Sequence, residues 1–309
     1  MNKVILLVGA TATGKTGAAI KLAKKIGGEI ISADSRQVYR HLDIGTNKPP
    51  KSLLKNPPHH LIDIVEPDGE FNAGDFVRSA DSAIREIISR GHIPIITGGT
   101  GLYARALTDG LMDAPADAAL RDELLELGRR HGNDFLYEKL SAMDPETARS
   151  IDRNNPARVT RALQVCLSTG RKFSELKKET KKYRYEFIKF GLRLPREEIY
   201  RQVNERVDDM IERGLVTETK KLVEKYSPDN PVMNSTIGYR EIIGYLGGKY
   251  DLDTAVELIK RNTRRYAKRQ ATWFKKEKDI LWVDADKNPV SEILNYIRKS
   301  GIIENCGTK

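Results

Sequence analysis

The chain has 309 residues, 39% of them hydrophobic and 31% charged, enough for one large or two modest globular domains with a buried core. Its 53 Lys and Arg against 43 Asp and Glu leave a formal charge of +10, so anionic partners are expected, nucleic acid first among them. Cys166 and Cys306 stand alone without a C-x-x-C pair, which argues against a disulfide framework or structural zinc and fits a reducing cytoplasm, and no apolar run is long enough for a membrane span.

The first apolar run, Val4 to Val8, reads as a short buried strand, and residues 18–26 read as a helix closed by Gly27 and Gly28. Between them Gly9, Ala10, Thr11, Ala12, Thr13, Gly14, Lys15 and Thr16 match G-x-x-x-x-G-K-[ST] at every fixed position. Strand, glycine loop and helix make an anion cradle. Backbone N–H groups and the helix N-terminus face a di- or triphosphate, Lys15 adds a full positive charge, and the Thr16 hydroxyl is placed to ligate Mg²⁺. The loop specifies phosphate and leaves open which molecule carries it.

A second short strand over 29–32 runs into Ala33-Asp34-Ser35-Arg36-Gln37-Val38-Tyr39. In a parallel sheet this places Asp34 at a strand end near the phosphate loop. A carboxylate there is awkward unless it binds Mg²⁺ or takes a proton from a nucleophile; otherwise Asp34 is a turn residue. Residues 61–65 read as a third strand, 73–90 as a helix, and 93–97 as a strand emptying into Gly98-Gly99-Thr100-Gly101. This alternation predicts an α/β fold, a parallel sheet with helices on both faces and ligands at the carboxyl ends of its strands.

From residue 112 the sequence turns helical and polar until an apolar strand pattern returns at 187–192, which predicts a small helical domain over 112–186 inserted in a core formed by 1–111 and 187–309. In the helix over 260–278, nine of 19 residues are Lys or Arg. Ile259, Thr263, Tyr266, Gln270 and Trp273 recur near helical spacing and predict its buried stripe. With Lys177-Lys178-Glu179-Thr180-Lys181-Lys182-Tyr183-Arg184, and with Arg158 and Arg161 after Pro156, this helix reads as a footprint for a phosphate backbone. A late strand over 280–283 and a helix over 289–299 complete the core. His59 and His60, adjacent on an extended segment, point to opposite faces and are not expected to share a metal. Asp63 reads equally as a Mg²⁺ carboxylate or a strand-end turn residue, and the Tyr and Trp of the basic helix read as core.

The phosphate loop, Asp34–Tyr39, Ile44-Gly45-Thr46-Asn47-Lys48-Pro49, Pro58-His59-His60-Leu61-Ile62-Asp63, Gly98–Tyr103, Ile237-Gly238-Tyr239-Arg240-Glu241 and Lys268–Phe274 occur in the order seen in bacterial tRNA dimethylallyltransferases. The chain resembles that family over nearly its whole length. The resemblance implies transfer of a dimethylallyl group from dimethylallyl diphosphate to N6 of the adenosine 3′-adjacent to the anticodon, assisted by Mg²⁺. The partners implied are a tRNA anticodon stem-loop and the prenyl donor, with a cytoplasmic monomer as the working unit. By motif, Asp34 matches the catalytic base, Lys15 and Thr16 match diphosphate and metal contacts, and Thr100 matches a residue touching the target nucleotide. Ser35, Arg36, Gln37, Arg121, Arg158, Arg161, Arg240, Lys268, Arg269 and Gln270 fall in motifs that meet tRNA or line the reaction channel, and the target base must leave its stack to enter. Ala10 and Thr13 replace a common Pro and Ser, Ser235 stands where a longer polar side chain is frequent, and the zinc finger of eukaryotic relatives is absent. A kinase using the same loop, and a non-catalytic RNA-binding module, are the competing readings.

Overall fold

The computed structural model describes residues 2–112, 114, 117–180 and 185–301. The chain divides into two compact units, one formed by 1–108 and 184–309 and the other by 109–183. Lys181, Lys182, Tyr183 and Arg184, the end of the second basic run, lie outside the described residues, as does Cys306.

The first unit begins with β1 (Asn2–Gly9), α1 (Lys15–Ile26), β2 (Gly28–Ser32), a two-residue β3 (His59–His60), α2 (Ala73–Ser89), β4 (Ile93–Gly98) and α3 (Gly101–Asp109). The second holds α4 (Ala118–His131), α5 (Asn133–Met143), α6 (Pro145–Ser150), α7 (Pro156–Thr169) and α8 (Phe173–Lys178). The chain returns to the first unit through β5 (Tyr185–Arg193), α9 (Arg196–Glu212), α10 (Leu215–Tyr226), α11 (Pro231–Asn234), α12 (Tyr239–Leu246), α13 (Leu252–Lys275), β6 (Ile280–Asp284) and α14 (Pro289–Lys299).

Six strands form one parallel sheet in the order β3-β2-β4-β1-β5-β6. Side chains alternate across it. Ile5, Leu7, Ile30 and Ile95 point to the face covered by α1 and α14, where Leu22, Ile293 and Ile297 close the core. Against the other face α2 buries Phe76, Ile84 and Ile87, and it starts from a capping box in which Asn72 and Asp75 satisfy each other's backbone N–H groups. β1 sits at the middle of the sheet between β4 and β5, so the loop after it opens where the strand order changes direction, the place such sheets reserve for ligands.

The strand expected over 61–65 is not formed. Its pairing with β2 is made one step earlier, by His59 and His60. Leu61 and Asp63 both adopt positive φ (63° and 56°), which turns the chain, and only an isolated bridge between Tyr39 and Val65 remains parallel. The basic helix begins earlier than its charge pattern suggested, at Leu252, capped by the Asp251 carboxylate. Its fully buried stripe is Ala255, Ile259, Ala267, Gln270 and Phe274; Thr263, Tyr266 and Trp273 are half-buried beside it.

In the second unit α4, α5 and α7 bury Leu124, Leu136, Leu140, Val159 and Leu163. Asn155 and Pro156 start α7, and Gly170, at φ 66°, ends it. The buried Asp144 caps α6 and also accepts from Ser174 at the start of α8 (N at 2.8 Å, Oγ at 3.0 Å), which pins the last helix to the bundle.

Candidate functional site

A cavity of about 290 Å³ opens at the carboxyl ends of β1, β2 and β4. Its polar wall is the loop Gly9–Thr16. Gly14 takes a left-handed φ of 76° as the residue before α1, which turns the first helical N–H groups toward the cavity. Thr13 Oγ1 donates to Ala10 O at 2.8 Å and steadies the loop from within. Lys15 keeps some accessible surface, but its ammonium is enclosed and donates to Ala10 O. Burial first, then the neighbouring Arg206, push it down to about 7, while Asp34 pulls it up.

Arg206 is a residue that the sequence reading missed. It projects from α9, donates from Nη1 to Thr11 Oγ1 at 2.8 Å and lines the cavity beside Lys15. Burial lowers the pKa of its guanidinium as well. Two enclosed cations side by side, neither in a salt bridge with any described carboxylate, form a site for a multiply charged anion. Nothing in the local pattern of α9, a polar helix rich in charge, marked this Arg from its neighbours.

Asp34 lies just beyond β2 and lines the same cavity. Its Oδ1 accepts from the backbone N–H groups of Arg36 (2.8 Å) and Gln37 (3.4 Å), so the carboxylate does form the turn. That turn fixes its aim, and Oδ2 has no hydrogen-bond partner among the described residues. Thr100 Oγ1 accepts from Ser35 N at 3.1 Å and lies 3.4 Å from Ser35 Oγ, which joins the two strand-end loops. Tyr266, expected in the core, lines the cavity instead; burial and the charge of Asp34 push its phenol up to about 12. Trp273 packs where a Cβ on Gly101 would stand 2.3 Å from its ring, and the Arg105 guanidinium lies over the ring at 4.5 Å.

Gln270, expected to meet tRNA, is buried and holds two loops together: its Oε1 accepts from Thr11 N and its Nε2 donates to Gly99 O, each at 2.8 Å. A Cβ at Gly99 would stand 2.1 Å from that amide, so only glycine allows the approach.

The matching family model, described as IPP transferase, covers residues 37–277. The chain is 50% identical over 300 residues to tRNA dimethylallyltransferase 2 of Geotalea uraniireducens, covering 96% of each chain. It is 46% identical to the tRNA dimethylallyltransferase of Thermotoga maritima, covering 98% of this chain and 99% of the relative. The crystal structure of tRNA isopentenylpyrophosphate transferase from Bacillus halodurans superposes with a TM-score of 0.72 at 40% identity, over 97% of this chain and 96% of that one. A eukaryotic dimethylallyltransferase acting on tRNA gives 0.85 at 34% identity, over 98% of this chain and 80% of that one. The chain belongs to the IPP transferase family.

The remaining residues that the family's motifs single out are dispersed. Within the first unit, Arg36 reaches the Ser235 carbonyl (3.4 Å) and Gln37 bridges Ser32 Oγ and the Thr46 carbonyl. Arg240 pairs with the buried Glu241 at 2.6 Å. Lys268 and Arg269 are exposed on α13, with Arg269 over the Tyr266 ring at 5.7 Å. Within the second unit, Arg158 is exposed on the first turn of α7 and Arg121 sits 3.5 Å from Asp122. Arg161 is half-buried, donating to Gln164 Oε1 and the Ala114 carbonyl, and burial lowers its pKa. Lys178 pairs with Glu146 at 2.9 Å, so part of that basic run is neutralised.

His59 and His60 have separate partners, the Pro57 carbonyl and the buried Glu29. Asp63 pairs with the buried Lys48 in the turn it makes, away from the cavity lining. Among the described residues no cluster of His, Cys, Asp and Glu forms a closed metal cage. The donors at the cavity, the Thr16 hydroxyl and the Asp34 carboxylate, nevertheless suit Mg²⁺, a hard ion that takes one or two protein oxygens and completes its shell with phosphate oxygens and water.

Proposed function

We propose that this protein is a tRNA dimethylallyltransferase, transferring the dimethylallyl group of dimethylallyl diphosphate to N6 of the adenosine 3′-adjacent to the anticodon. The observation that carries the reading is the make-up of one cavity: its lining combines the cations Lys15 and Arg206, the apolar Ile30, Pro49 and Ile62, and Asp34 with a free carboxylate oxygen. The cations suit a diphosphate, the apolar lining a short prenyl chain, and Asp34 the acceptor nucleophile.

An exocyclic adenine amine is a poor nucleophile because its lone pair is delocalised into the ring. In the transfer, N6 bonds to C1 of the donor, the C1–O bond breaks, pyrophosphate leaves and Asp34 takes the N6 proton. Lys15, Arg206 and the amides of the loop stabilise the charge that grows on the departing oxygen. Thr16 would hold Mg²⁺, which when bound neutralises the diphosphate. Thr100 and Ser35 fix the loops that frame the acceptor, and the exposed Lys268 and Arg269 meet tRNA phosphates. Arg121, Arg158 and Arg161 extend the RNA contact from the inserted unit. We take a monomer as the working unit and the cytoplasm, where tRNA is used, as its place.

Incubating the protein with tRNA and dimethylallyl diphosphate and weighing the resulting nucleosides is the direct test. N6-isopentenyladenosine and pyrophosphate in equal amounts are expected. Stoichiometric consumption of ATP with the prenyl donor dispensable would instead establish a kinase.

A further inference from the structure

Part of the cavity wall is a segment that is itself held from behind. Thr46, Asn47 and Pro49 line the cavity from the loop over 42–49, as do the apolar Ile30 and Ile62 from elsewhere in the chain. The loop is tied inward to the Asp34 turn, since Gln37 Nε2 donates to the Thr46 and Asn47 carbonyls at 3.2 and 3.4 Å.

From the outside one carboxylate holds it. Glu218 of α10 accepts from Ile44 N at 3.0 Å and from Gly45 N at 3.4 Å. The Tyr239 hydroxyl, at the start of α12, donates to Glu218 and accepts from Gly45 N at 3.1 Å. Tyr239 is fully buried, and a Cβ at Gly45 would stand 2.5 Å from its ring, so the loop is pressed directly onto the phenol. Behind the same loop lies a second, more open cavity of about 620 Å³, walled by Asp43, Ile44, Glu218 and Leu222. The wall therefore stands between two spaces, and Glu218 with Tyr239 decides where it stands.

We propose that Glu218 and Tyr239 are positioning residues that set the length of prenyl chain this protein accepts. By pinning the loop over 42–49 they close the donor cavity at the dimethylallyl length; released, the wall yields into the second cavity and admits a donor one isoprene unit longer. This rests on the prenyl-donor reading of the cavity. The chemistry is the same for either donor, with N6–C1 formed, C1–O broken, the proton passed to Asp34 and pyrophosphate released. Only the fit of the tail differs, and an apolar pocket discriminates by fit to the extent of roughly 10- to 200-fold per methylene.

The test compares kcat/KM for dimethylallyl diphosphate and geranyl diphosphate in the unaltered chain, in Glu218→Gln and in Tyr239→Phe, with thermal melting of each. The ratio of geranyl to dimethylallyl transfer is expected to rise about tenfold or more in both variants, through a lower KM for the longer donor. Pro49→Ala trims the wall without touching the clamp and is expected to move the ratio the same way, even if a clamp variant folds poorly. A merely structural role lowers transfer from both donors together and leaves the ratio where it was, which would overturn the proposal. Absence of any transfer from dimethylallyl diphosphate by the unaltered protein would remove the functional reading as well, whereas normal transfer with an unmoved ratio in all three variants removes this inference alone.

Discussion

The two units treat buried charge in opposite ways. In the helical unit burial pushes the Asp144 carboxyl up, but four neutral donors, the N–H and hydroxyl groups of Thr147 and Ser174, outweigh it and hold the group at about 2. In the α/β unit Lys15 and Arg206 are enclosed next to each other; burial works against the charge of both, and Arg206 adds to the pressure on Lys15. One arrangement is complete without a ligand and the other is not. The surface charge divides similarly. The segment 109–183 holds 14 of the 53 Lys and Arg and 13 of the 43 Asp and Glu, so nearly all of the net +10 belongs to the unit with the cavity. A helical insert need not be the more basic part of an RNA-binding protein.

The largest expected effect is at Asp34, the acid facing the two open cations. Asp34→Asn should lower single-turnover transfer by roughly 10²–10⁴-fold, the range for a positioned proton acceptor, while tRNA affinity changes little. Near-normal turnover would reduce Asp34 to its turn. On the closed side, Asp144→Ala strands the N–H groups of Thr147 and Ser174 in the helical unit, at roughly 1–3 kcal/mol for each donor that finds no new partner. Urea melts should show that loss with the catalytic unit's chemistry intact; equal stability would mean that water readily replaces the carboxylate.

Two pH experiments sharpen the contrast. If the ammonium of Lys15 titrates near 7 in the free protein, diphosphate binding draws in a proton between pH 7 and 8. Calorimetry of pyrophosphate binding in buffers of different ionisation enthalpy should register that uptake, and Lys15→Ala should abolish it. The sign for stability follows: the folded state binds fewer protons than the unfolded one between about 7 and 10.5, so this Lys lets stability rise with pH over that window. Glu29 has the same sign in a lower pH window, through a charged form that folding favours instead of opposes. Hydrogen bonds from Arg90, His92 and His60 outweigh its burial and hold it at about 2 against an ordinary 4.5. Its contribution is present above about 4.5 and lost as the pH falls toward about 2, so the stability gap between the native chain and Glu29→Gln should close over that interval. A gap independent of pH would contradict the assignment.

The smallest effect concerns surface charge. Lys268→Ala with Arg269→Ala should flatten the dependence of log K for tRNA on log salt by about 0.7–0.9 for each phosphate that is no longer neutralised. Lys178→Ala, in the near-neutral unit and already paired with Glu146, should change it less. Equal slopes would place the two units on the same footing.

What was legible in the sequence was local. The loop Gly9–Thr16 and the strand and helix flanking it need only neighbouring residues to specify them, and so does the turn that carries Asp34. The third strand was misplaced because an apolar run gives no sign that Leu61 and Asp63 adopt positive φ. Arg206 and Gln270 depend on contacts 195 and 259 residues away along the chain, to Thr11, and no spacing rule carries that distance. The buried stripe of α13 was drawn partly onto Tyr266 and Trp273 because large aromatic residues read as core, whereas small Ala255 and Ala267 let the helix lie close.

That close approach has a mechanical outcome. Gln270 grips the phosphate loop at Thr11 and the glycine loop at Gly99, and it follows directly after the exposed Lys268 and Arg269 on one rigid helix. A macromolecule seated on those two cations would touch the helix that also holds the phosphate loop. Thermodynamic reciprocity then requires that any tightening of the donor by RNA be matched by an equal tightening of RNA by the donor.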